Sequence, residues 1–250
     1  MRNSIKYIIL LCYFHLMSSY SFAQENTSES KLKISHLTGD FYVYTTYRDY
    51  EGSPFSSNGM YLITNKGTLI IDSPWDTTQF QALLDSIKIK HNQEAVMFIA
   101  THSHDDRTGA INYFRAKGIS TFTSAKTDKI CEAKGEKRAE FVMSGDSVFN
   151  LGNYRFETYF PGAGHTSDNM VIWFEKEKIL YGGCFIKSIE AINLGYLGDA
   201  NTHEWPNSLH KILKKYKKPT YVIPGHQSWL SNKSILHTIK LLKKYHSFNK

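Results

Sequence analysis

The sequence has little of several features that would place a chain in a special class of protein. Only three cysteines occur in 250 residues, too few for a fold built on a disulfide scaffold. No proline-rich or serine-rich linker and no block of like charge divides the chain, and the length allows one or two domains. With 41% hydrophobic and 21% charged residues, the composition is that of a globular protein. It excludes a disordered tail, a collagen-like repeat and a coiled coil.

An apolar run stands out only at the N-terminus, and it is short. Residues 7–17 are almost wholly apolar and follow Arg2 and Lys6, while Ser21-Phe22-Ala23 offers small residues at the two positions that a signal peptidase reads. A helix that spans a membrane needs about 20 apolar residues. We therefore predict a signal peptide over residues 1–23 and one mature domain over 24–250, exported to the periplasm without a stable membrane anchor.

The net charge of +7 permits binding to nucleic acid or to an anionic membrane but does not establish it. Removal of the signal takes away two cations and leaves +5. The remaining lysines are spread over several predicted helices instead of forming one stripe, so we predict no nucleic-acid partner.

Residues 235–245 are amphipathic, with lysines on the polar side. This pattern favours a helix packed on the core over a helix lying on a membrane.

Short strand patterns alternate with helical patterns, and the arrangement occurs twice, before and after about residue 140. Strands are predicted at 41–46, 60–64, 68–72, 94–100, 147–151, 154–160, 170–174, 178–181 and 221–223. Helices are predicted at 79–89, 111–116, 127–137 and 205–216. Two sheets packed face to face with helices outside would satisfy this order within one domain.

The residues with the strongest chemical signal follow the apolar strand at 94–100. His102, His104 and Asp106 are spaced by two, so an extended segment points all three the same way. Imidazole and carboxylate groups are preferred ligands of Zn²⁺. The end of a strand is also where α/β folds place their sites. Considered alone, the motif could still be a polar loop.

Three further candidates stand at strand ends marked by glycine: His165 in a glycine-rich loop, Cys184 after Gly182-Gly183, and His226 after Gly225. Six donors suit two metal ions better than one, and three histidines with an open position acidify a zinc-bound water. A disulfide between Cys184 and Cys131 is the alternative for the cysteine. Because Cys131 falls inside a predicted helix, the metal interpretation is favoured.

Together these residues resemble the metallo-β-lactamases, specifically the class B, subclass 1 enzymes that bind two zinc ions with a cysteine ligand. The resemblance covers nearly the whole mature chain and is carried by His102-x-His104-x-Asp106, His165, Cys184, His226 and the segments 57–60, 71–75 and 182–187. Other enzymes of this fold have a histidine after the motif's aspartate and an aspartate that bridges the metals. Arg107 and Cys184 stand in those places here.

The resemblance implies an α/β fold (α+β), a four-layer αββα sandwich, and a monomer with two Zn²⁺ per chain. It implies that His102, His104 and His165 hold one ion and that Asp106, Cys184 and His226 hold the other. The implied reaction is hydrolysis of the β-lactam amide bond of penicillins, cephalosporins and carbapenems by a metal-bound hydroxide, which confers antibiotic resistance. A hydrolase of the same fold acting on thioesters or phosphodiesters is the alternative, which Arg107 and Cys184 disfavour.

The resemblance also assigns roles around the metal site. Asp106 and Lys187 are the implied catalytic residues, and Lys187 matches the lysine that pairs with the substrate carboxylate. Residues 47–55 correspond to a flap that covers substrate, which makes Phe55 a substrate-binding residue. Asp72 and Arg107 are expected to support the metal ligands. The chain has Tyr196 where the family commonly has asparagine, so we predict that the contact of that asparagine with substrate is absent or water-mediated here.

Overall fold

The structure is a computed structural model and describes residues 31–248. The predicted signal peptide lies outside these residues. The strands are β1 (Leu32–Thr38), β2 (Phe41–Tyr50), β3 (Ser53–Thr64), β4 (Gly67–Ile71), β5 (Ala95–Ile99), β6 (Ser120–Ser124), β7 (Phe141–Met143), β8 (Ser147–Leu151), β9 (Tyr154–Tyr159), β10 (Val171–Phe174), β11 (Ile179–Gly183) and β12 (Tyr221–Pro224). The helices are α1 (Phe80–His91), α2 (Asp105–Thr108), α3 (Ile111–Ala116), α4 (Ala125–Lys134), α5 (Trp205–Lys215) and α6 (Ser234–Phe248).

The strands form two sheets that divide near residue 145, close to the predicted boundary. The first sheet has the order β1-β2-β3-β4-β5-β6-β7, and the second has the order β12-β11-β10-β9-β8. In the first sheet the pairing is antiparallel from β1 to β4 and parallel from β4 to β7. In the second sheet only β11 and β12 are parallel. Each parallel pair needs a crossover connection, which α1, α3, α4 and α5 supply in this chain.

Three apolar clusters show that the molecule has four layers. The central cluster lies between the sheets and joins side chains such as Leu62 and Ile99 of the first sheet to Ile172 of the second. A second cluster packs α1 and α3 on the outer face of the first sheet, and a third packs α5 and α6 on the outer face of the second sheet. The layers are therefore helix, sheet, sheet, helix, which confirms the predicted αββα sandwich.

Three strands of the first sheet were not among the predicted elements, and each has a physical reason for its weak signal. The strands β1 and β7 are the two edges of the sheet and are only partly buried. The sequence of β6 is Ser-Thr-Phe-Thr-Ser, and its alternate residues Thr121 and Thr123 are fully buried although they are polar. The Thr123 hydroxyl donates to the Ala100 carbonyl at 3.2 Å, so burial of that hydroxyl leaves no unpaired donor.

The hairpin of β2 and β3 extends well past the predicted strands and forms the segment identified above as a flap. Tyr50 pairs with Ser53, and the turn residues Glu51 and Gly52 both have positive φ, 53° and 78°. Two left-handed residues are the signature of a tight type I′ turn. Because side chains alternate along a strand, Tyr47 and Arg48 face opposite sides of this hairpin.

The C-terminal helix α6 packs on the second sheet through Ile235, Ile239 and Leu242, as the packed-helix interpretation predicts. Among residues 31–248, no helix combines the length and the apolarity needed to cross a membrane.

Candidate metal centre

Four strand ends bring the six predicted donors together at one edge of the sandwich. His102 and His104 follow β5, and Asp106 lies in the short helix α2. The remaining donors come from the second sheet: His165 from the loop between β9 and β10, Cys184 from the end of β11 and His226 from the end of β12. Since β11 and β12 are parallel, their carboxyl ends reach the same edge.

Three histidines form the first donor cluster, called here the histidine cluster. Nε2 of His102 lies 3.2 Å from Nδ1 of His104, and Nε2 of His165 lies 3.3 Å from the same Nδ1 atom. The three rings meet edge to face, with centroids 4.8–5.1 Å apart. One nitrogen of each ring therefore points at a shared centre.

Asp106, Cys184 and His226 form the second donor group, called here the mixed cluster. Nε2 of His226 lies 3.2 Å from Sγ of Cys184 and 3.2 Å from Oδ2 of Asp106. The sulfur lies 3.4 Å from the same carboxylate oxygen. The two clusters are adjacent, because donor atoms of His102, Asp106 and Cys184 all fall within 4.8 Å of one another.

These spacings match what a tetrahedral ion requires. Zinc binds imidazole nitrogen and carboxylate oxygen at about 2.0 Å, and tetrahedral geometry then separates the ligand atoms by about 3.3 Å. The observed separations of 3.2–3.4 Å agree with that value in both clusters. Nitrogen, thiolate and carboxylate donors are also the ligands that zinc prefers. The residues therefore fit a divalent metal ion in each cluster.

The buried environment keeps His102 and His165 in the form that binds metal. Burial lowers the pKa of His102 and of His165 well below the usual value, because the charged imidazolium would lose its hydration. His102 also faces the imidazole of His104, whose charge would oppose its own. Neutral imidazole is the form that binds metal.

In the mixed cluster, neighbouring charged groups affect the pKa values more than burial does. Burial opposes charge on Asp106, but Arg107 and His226 outweigh that effect and hold the pKa of this carboxyl well below its usual range. Burial also opposes charge on His226 and so lowers its pKa, yet Cys184 and Asp106 outweigh this effect and raise that pKa to about 9. Asp106 is therefore ionised at neutral pH, and its negative charge favours a cation in this cluster.

Arg107 lies directly behind the mixed cluster and is fully buried. Its Nη2 atom donates to Oδ2 of Asp106 at 2.9 Å and to Sγ of Cys184 at 3.0 Å. Its Nη1 atom donates to the Asn58 carbonyl at 2.7 Å and lies 3.2 Å from Oδ2 of Asp72. One guanidinium thus donates to two donors of the mixed cluster.

Asp72 follows β4 and anchors the loop that carries the histidine motif. Its Oδ1 accepts from the Thr101 backbone at 2.8 Å, and its Oδ2 accepts from the Thr101 hydroxyl at 2.9 Å. The Tyr181 hydroxyl lies 2.8 Å from the same Oδ2 atom. Asp72 therefore holds the residue next to His102 but contacts no donor atom directly.

Asp199 contacts the site although no sequence pattern indicates it. Its Oδ2 atom lies 2.9 Å from Nε2 of His104, on the side of the ring away from the cluster, and 3.7 Å from Nζ of Lys134. A partner on the outer nitrogen orients a histidine ligand and makes it more basic. Asp199 lies in an irregular segment between β11 and α5, where no periodicity singles out a residue.

A groove of about 690 Å³ opens above both clusters and brings the predicted substrate-binding residues to one surface. Lys187 lines it, with Nζ 5.4 Å from the centroid of the Trp205 ring. Tyr196 stands edge-on to His104 at 5.7 Å and is 55% exposed. Among the described residues, its hydroxyl makes no hydrogen bond. Lys187 and Tyr196 are therefore placed to meet a ligand in the groove.

Aromatic rings close the groove on the flap side. Phe55 stacks on the His226 ring at 5.1 Å, and Trp75 meets the same ring edge-on at 5.7 Å. Tyr50, near the flap tip, lies 5.9 Å from Phe55 and 6.4 Å from Trp75. The sequence indicated Phe55 but gave Trp75 no role. Its place just after β4, at the same sheet edge as the donors, is the signal that could have found it.

The two cysteines of the described region are both free, so the disulfide alternative is not realised. Cys131 is buried in α4, and burial together with the nearby Asp168 carboxylate raises its pKa to about 11. A thiol with a raised pKa is a poor nucleophile and a poor metal ligand at neutral pH. Cys184, by contrast, faces the groove edge of the sandwich among metal donors.

The chain is similar to known proteins along most of its length. The family model described as "Metallo-beta-lactamase superfamily" matches residues 52–226. A metallo-beta-lactamase type 2 of Elizabethkingia meningoseptica is 39% identical over 98% of this chain and 97% of its own length. The metallo-beta-lactamase IND-1 of Chryseobacterium indologenes is 38% identical over 98% of this chain and 100% of its own length.

Solved structures show the same likeness in three dimensions. The crystal structure of metallo-beta-lactamase IND-7 superposes with a TM-score of 0.83 at 39% identity, over 86% of this chain and 99% of that one. A metallo-beta-lactamase from Pontibacter korlensis gives a TM-score of 0.82 at 31% identity, over 85% and 99% of the two chains. Sequence, fold and donor arrangement agree, and the chain belongs to the metallo-beta-lactamase superfamily.

Proposed function

We propose that this protein hydrolyses the amide bond of penicillins, cephalosporins and carbapenems with two zinc ions and so confers resistance to these antibiotics. The observation that carries the proposal is the pair of adjacent donor clusters, each with the spacing of a tetrahedral metal site. Full-length similarity to curated metallo-beta-lactamases supports it. No observation favours a thioester or a phosphodiester as the substrate.

The histidine cluster would hold one zinc ion and the mixed cluster the other. When bound, zinc supplies Lewis-acid chemistry, since it polarises a carbonyl oxygen and lowers the pKa of water to about 7. The chain itself supplies the geometry. Arg107 fixes Asp106 and Cys184, and Asp199 orients His104 from behind.

Asp106 is the catalytic carboxylate in this proposal. It lines the groove, and its Oδ2 atom lies within 3.4 Å of both other donors of the mixed cluster. An ionised oxygen in that position can orient the attacking group and accept its proton. Arg107 favours the ionised form because its guanidinium donates to the same oxygen.

Lys187 and Phe55 position the substrate. An ammonium group at the edge of the groove is suited to the carboxylate that β-lactams carry on their fused ring. Phe55 and its neighbouring aromatic rings present an apolar wall to the rest of the molecule and exclude water from it. Tyr196 forms part of the groove wall beside His104, and in this proposal the substrate contact that the family's asparagine makes is absent or water-mediated.

The proposal includes the export of the protein. Residues 1–23 act as the signal peptide, and residues 24–250 form a monomeric domain that works in the periplasm on small β-lactam molecules. The signal peptide and the export rest on the sequence pattern of the N-terminus.

The experiment compares two matched cysteine variants of the purified protein. The unaltered protein should bind two zinc ions per chain and hydrolyse a penicillin, a cephalosporin and a carbapenem, and a chelator should abolish all three activities until zinc is restored. Cys184→Ser should bind one zinc ion and lose at least about 100-fold in kcat/KM. Cys131→Ser should keep both ions and full activity, because Cys131 belongs to neither donor cluster.

Two results would contradict the proposal. Hydrolysis that survives removal of all metal would exclude a metal-dependent reaction. Turnover of a thioester or a phosphodiester, with none of the three β-lactams hydrolysed, would show that the same site serves another substrate.

A further inference from the structure

The groove contains a cation that the proposed reaction does not use. Arg48 lies on β2 in the flap hairpin and lines the groove. Its guanidinium carbon is 5.6 Å from the centroid of the Trp75 ring. The side chain is exposed, and among the described residues it makes no salt bridge. A guanidinium held over an indole ring is positioned by a cation–π contact, with its N–H groups left free for another partner.

Arg48 and Lys187 stand at different walls of the same groove. Arg48 rests on Trp75, whose ring meets His226 of the mixed cluster at 5.7 Å. Lys187 rests on Trp205, whose ring lies 6.0 Å from His165 of the histidine cluster. Each cation is therefore held on a tryptophan that touches a different donor cluster.

A third cation of the groove, Lys134, differs from these two. Its Nζ atom lies 3.7 Å from Oδ2 of Asp199, so part of its charge is already balanced. Lys187 takes the fused-ring carboxylate in the function proposed above. Arg48 is then the groove cation on the flap side that has no assigned partner.

The chemistry of a β-lactam indicates which partner fits. The fused-ring carboxylate lies on the nitrogen side of the scissile amide, whereas the acylamino side chain is attached beside the carbonyl carbon, on the other side. A substrate that places its ring carboxylate at Lys187 therefore directs its acylamino chain away from that wall. The flap wall, where Arg48 lies over Trp75, carries the cation that remains free to meet the end of such a chain.

We propose that Arg48 binds a second carboxylate, carried on the acylamino side chain of dianionic β-lactams, and that it makes the enzyme selective for such substrates. The inference rests on the proposed function, because it needs a β-lactam held by Lys187. A planar guanidinium can take a carboxylate with two parallel hydrogen bonds, which a lysine cannot do. Contact with the ring restrains the side chain, so less rotational freedom is lost on binding.

Glu51, at the turn of the same hairpin, opposes this selectivity. It also lines the groove and carries negative charge on an exposed side chain. A second carboxylate near Arg48 is therefore repelled by Glu51, which lowers the selectivity that the arginine produces. The two residues provide substitutions with opposite expected signs.

The test uses benzylpenicillin and its α-carboxy derivative, two substrates that differ by one carboxylate on the acyl side chain. The quantity measured is the ratio of kcat/KM for the dianionic penicillin to kcat/KM for benzylpenicillin. Arg48→Gln keeps a polar side chain of similar reach but removes the charge, and it should lower this ratio about fivefold. Arg48→Lys should lower it less, and Glu51→Gln should raise it. Added salt should reduce the ratio of the unaltered enzyme.

Two outcomes would overturn the inference. One is an unchanged ratio in Arg48→Gln, and if kcat/KM falls equally for both penicillins, Arg48 only positions the flap. The other is a ratio that falls in Glu51→Gln as well, because any change to the hairpin would then have the same effect. Failure of the proposed function is distinct from both, since the unaltered protein would then hydrolyse neither penicillin.

Discussion

The floor and the rim of the groove are built in contrasting ways. The floor, defined as Asp72, Arg107 and Tyr181 in the layer beneath the donors, is fully buried and linked by hydrogen bonds that join both sheets. The rim, defined as Arg48, Tyr50, Ile192 and Tyr196, is exposed, with Tyr196 55% and Ile192 83% accessible. Rim side chains are held by ring contacts and by little else. The contrast implies that the floor fixes where the donors lie, while the rim determines which substrate fits.

A physical reason underlies this division. A buried charge must have partners, because its desolvation costs several kcal/mol that only hydrogen bonds and opposite charges can offset. Residues of the floor therefore tolerate little change. At the rim, water competes for every polar group, so a substitution changes the local surface at small cost to the fold.

The largest expected effect is at the floor. Arg107→Met should lower the free energy of unfolding by about 3–5 kcal/mol, because it leaves the buried carboxylates of Asp72 and Asp106 without their cation. Arg138→Met is the matched control, since Arg138 pairs with Asp128 and Glu132 on an exposed side chain. Urea unfolding of both variants, in chelator, measures the difference. Equal losses would mean that the floor has no special energetic role.

The next largest loss of stability is expected at Gly59, beside the floor. Gly59 follows Asn58, which accepts a hydrogen bond from Arg107, and a methyl group on Gly59 would overlap the buried ring of Tyr44. Gly59→Ala should therefore destabilise the protein by about 1–3 kcal/mol. Gly145→Ala is the control, because open space surrounds that position. A melting temperature unchanged in both variants would show that the floor can relax around an added methyl group.

Asp199 combines features of the floor and the rim, because its side chain is 39% exposed but contacts the donor His104. Asp199→Asn should weaken metal binding by the histidine cluster about tenfold, because the amide is a weaker partner for Nε2 of His104. Lys134→Met, which removes the cation on the far side of the same carboxylate, should have a smaller effect. Competition with a chelator of known affinity measures both. If Lys134→Met weakened metal binding more than Asp199→Asn does, the contact between Asp199 and His104 would not be the one that supports the metal site.

The smallest expected effect is at the rim. Tyr196→Phe removes a hydroxyl that has no hydrogen-bond partner among the described residues and keeps the ring that stands against His104. We expect kcat/KM to fall by less than about tenfold, or 1.4 kcal/mol. Steady-state kinetics on a penicillin and a carbapenem measure it. A larger fall would mean that the hydroxyl contacts the substrate and that the rim takes part in catalysis.

Much of the site is predictable from the sequence because its signals are local. The spacing of His102, His104 and Asp106 after a strand is visible within a few residues, as are the glycines beside Cys184 and His226. Hydrophobic periodicity locates most strands and helices in the same way, and their order indicates two sheets. The edge strands β1 and β7 were not predicted, because strands that are only partly buried give a weak periodic signal.

The feature that the sequence leaves open is which distant residues support the donors. Arg107 reaches Cys184 across 77 positions and the Gly225 carbonyl across 118, and Asp199 meets His104 across 95. Such contacts depend on how the two sheets pack, and no local pattern encodes them.

Composition, strand ends and donor chemistry therefore determine that this is a two-sheet protein with a zinc-type donor set. The tertiary structure alone decided that one buried guanidinium fixes the mixed cluster, that Asp199 orients a histidine, and that Arg48 rests on Trp75 at the rim. The physical reason is the separation along the chain over which each effect acts. Backbone geometry and burial patterns act between near neighbours in sequence, whereas charges and rings find their partners only after the chain has folded.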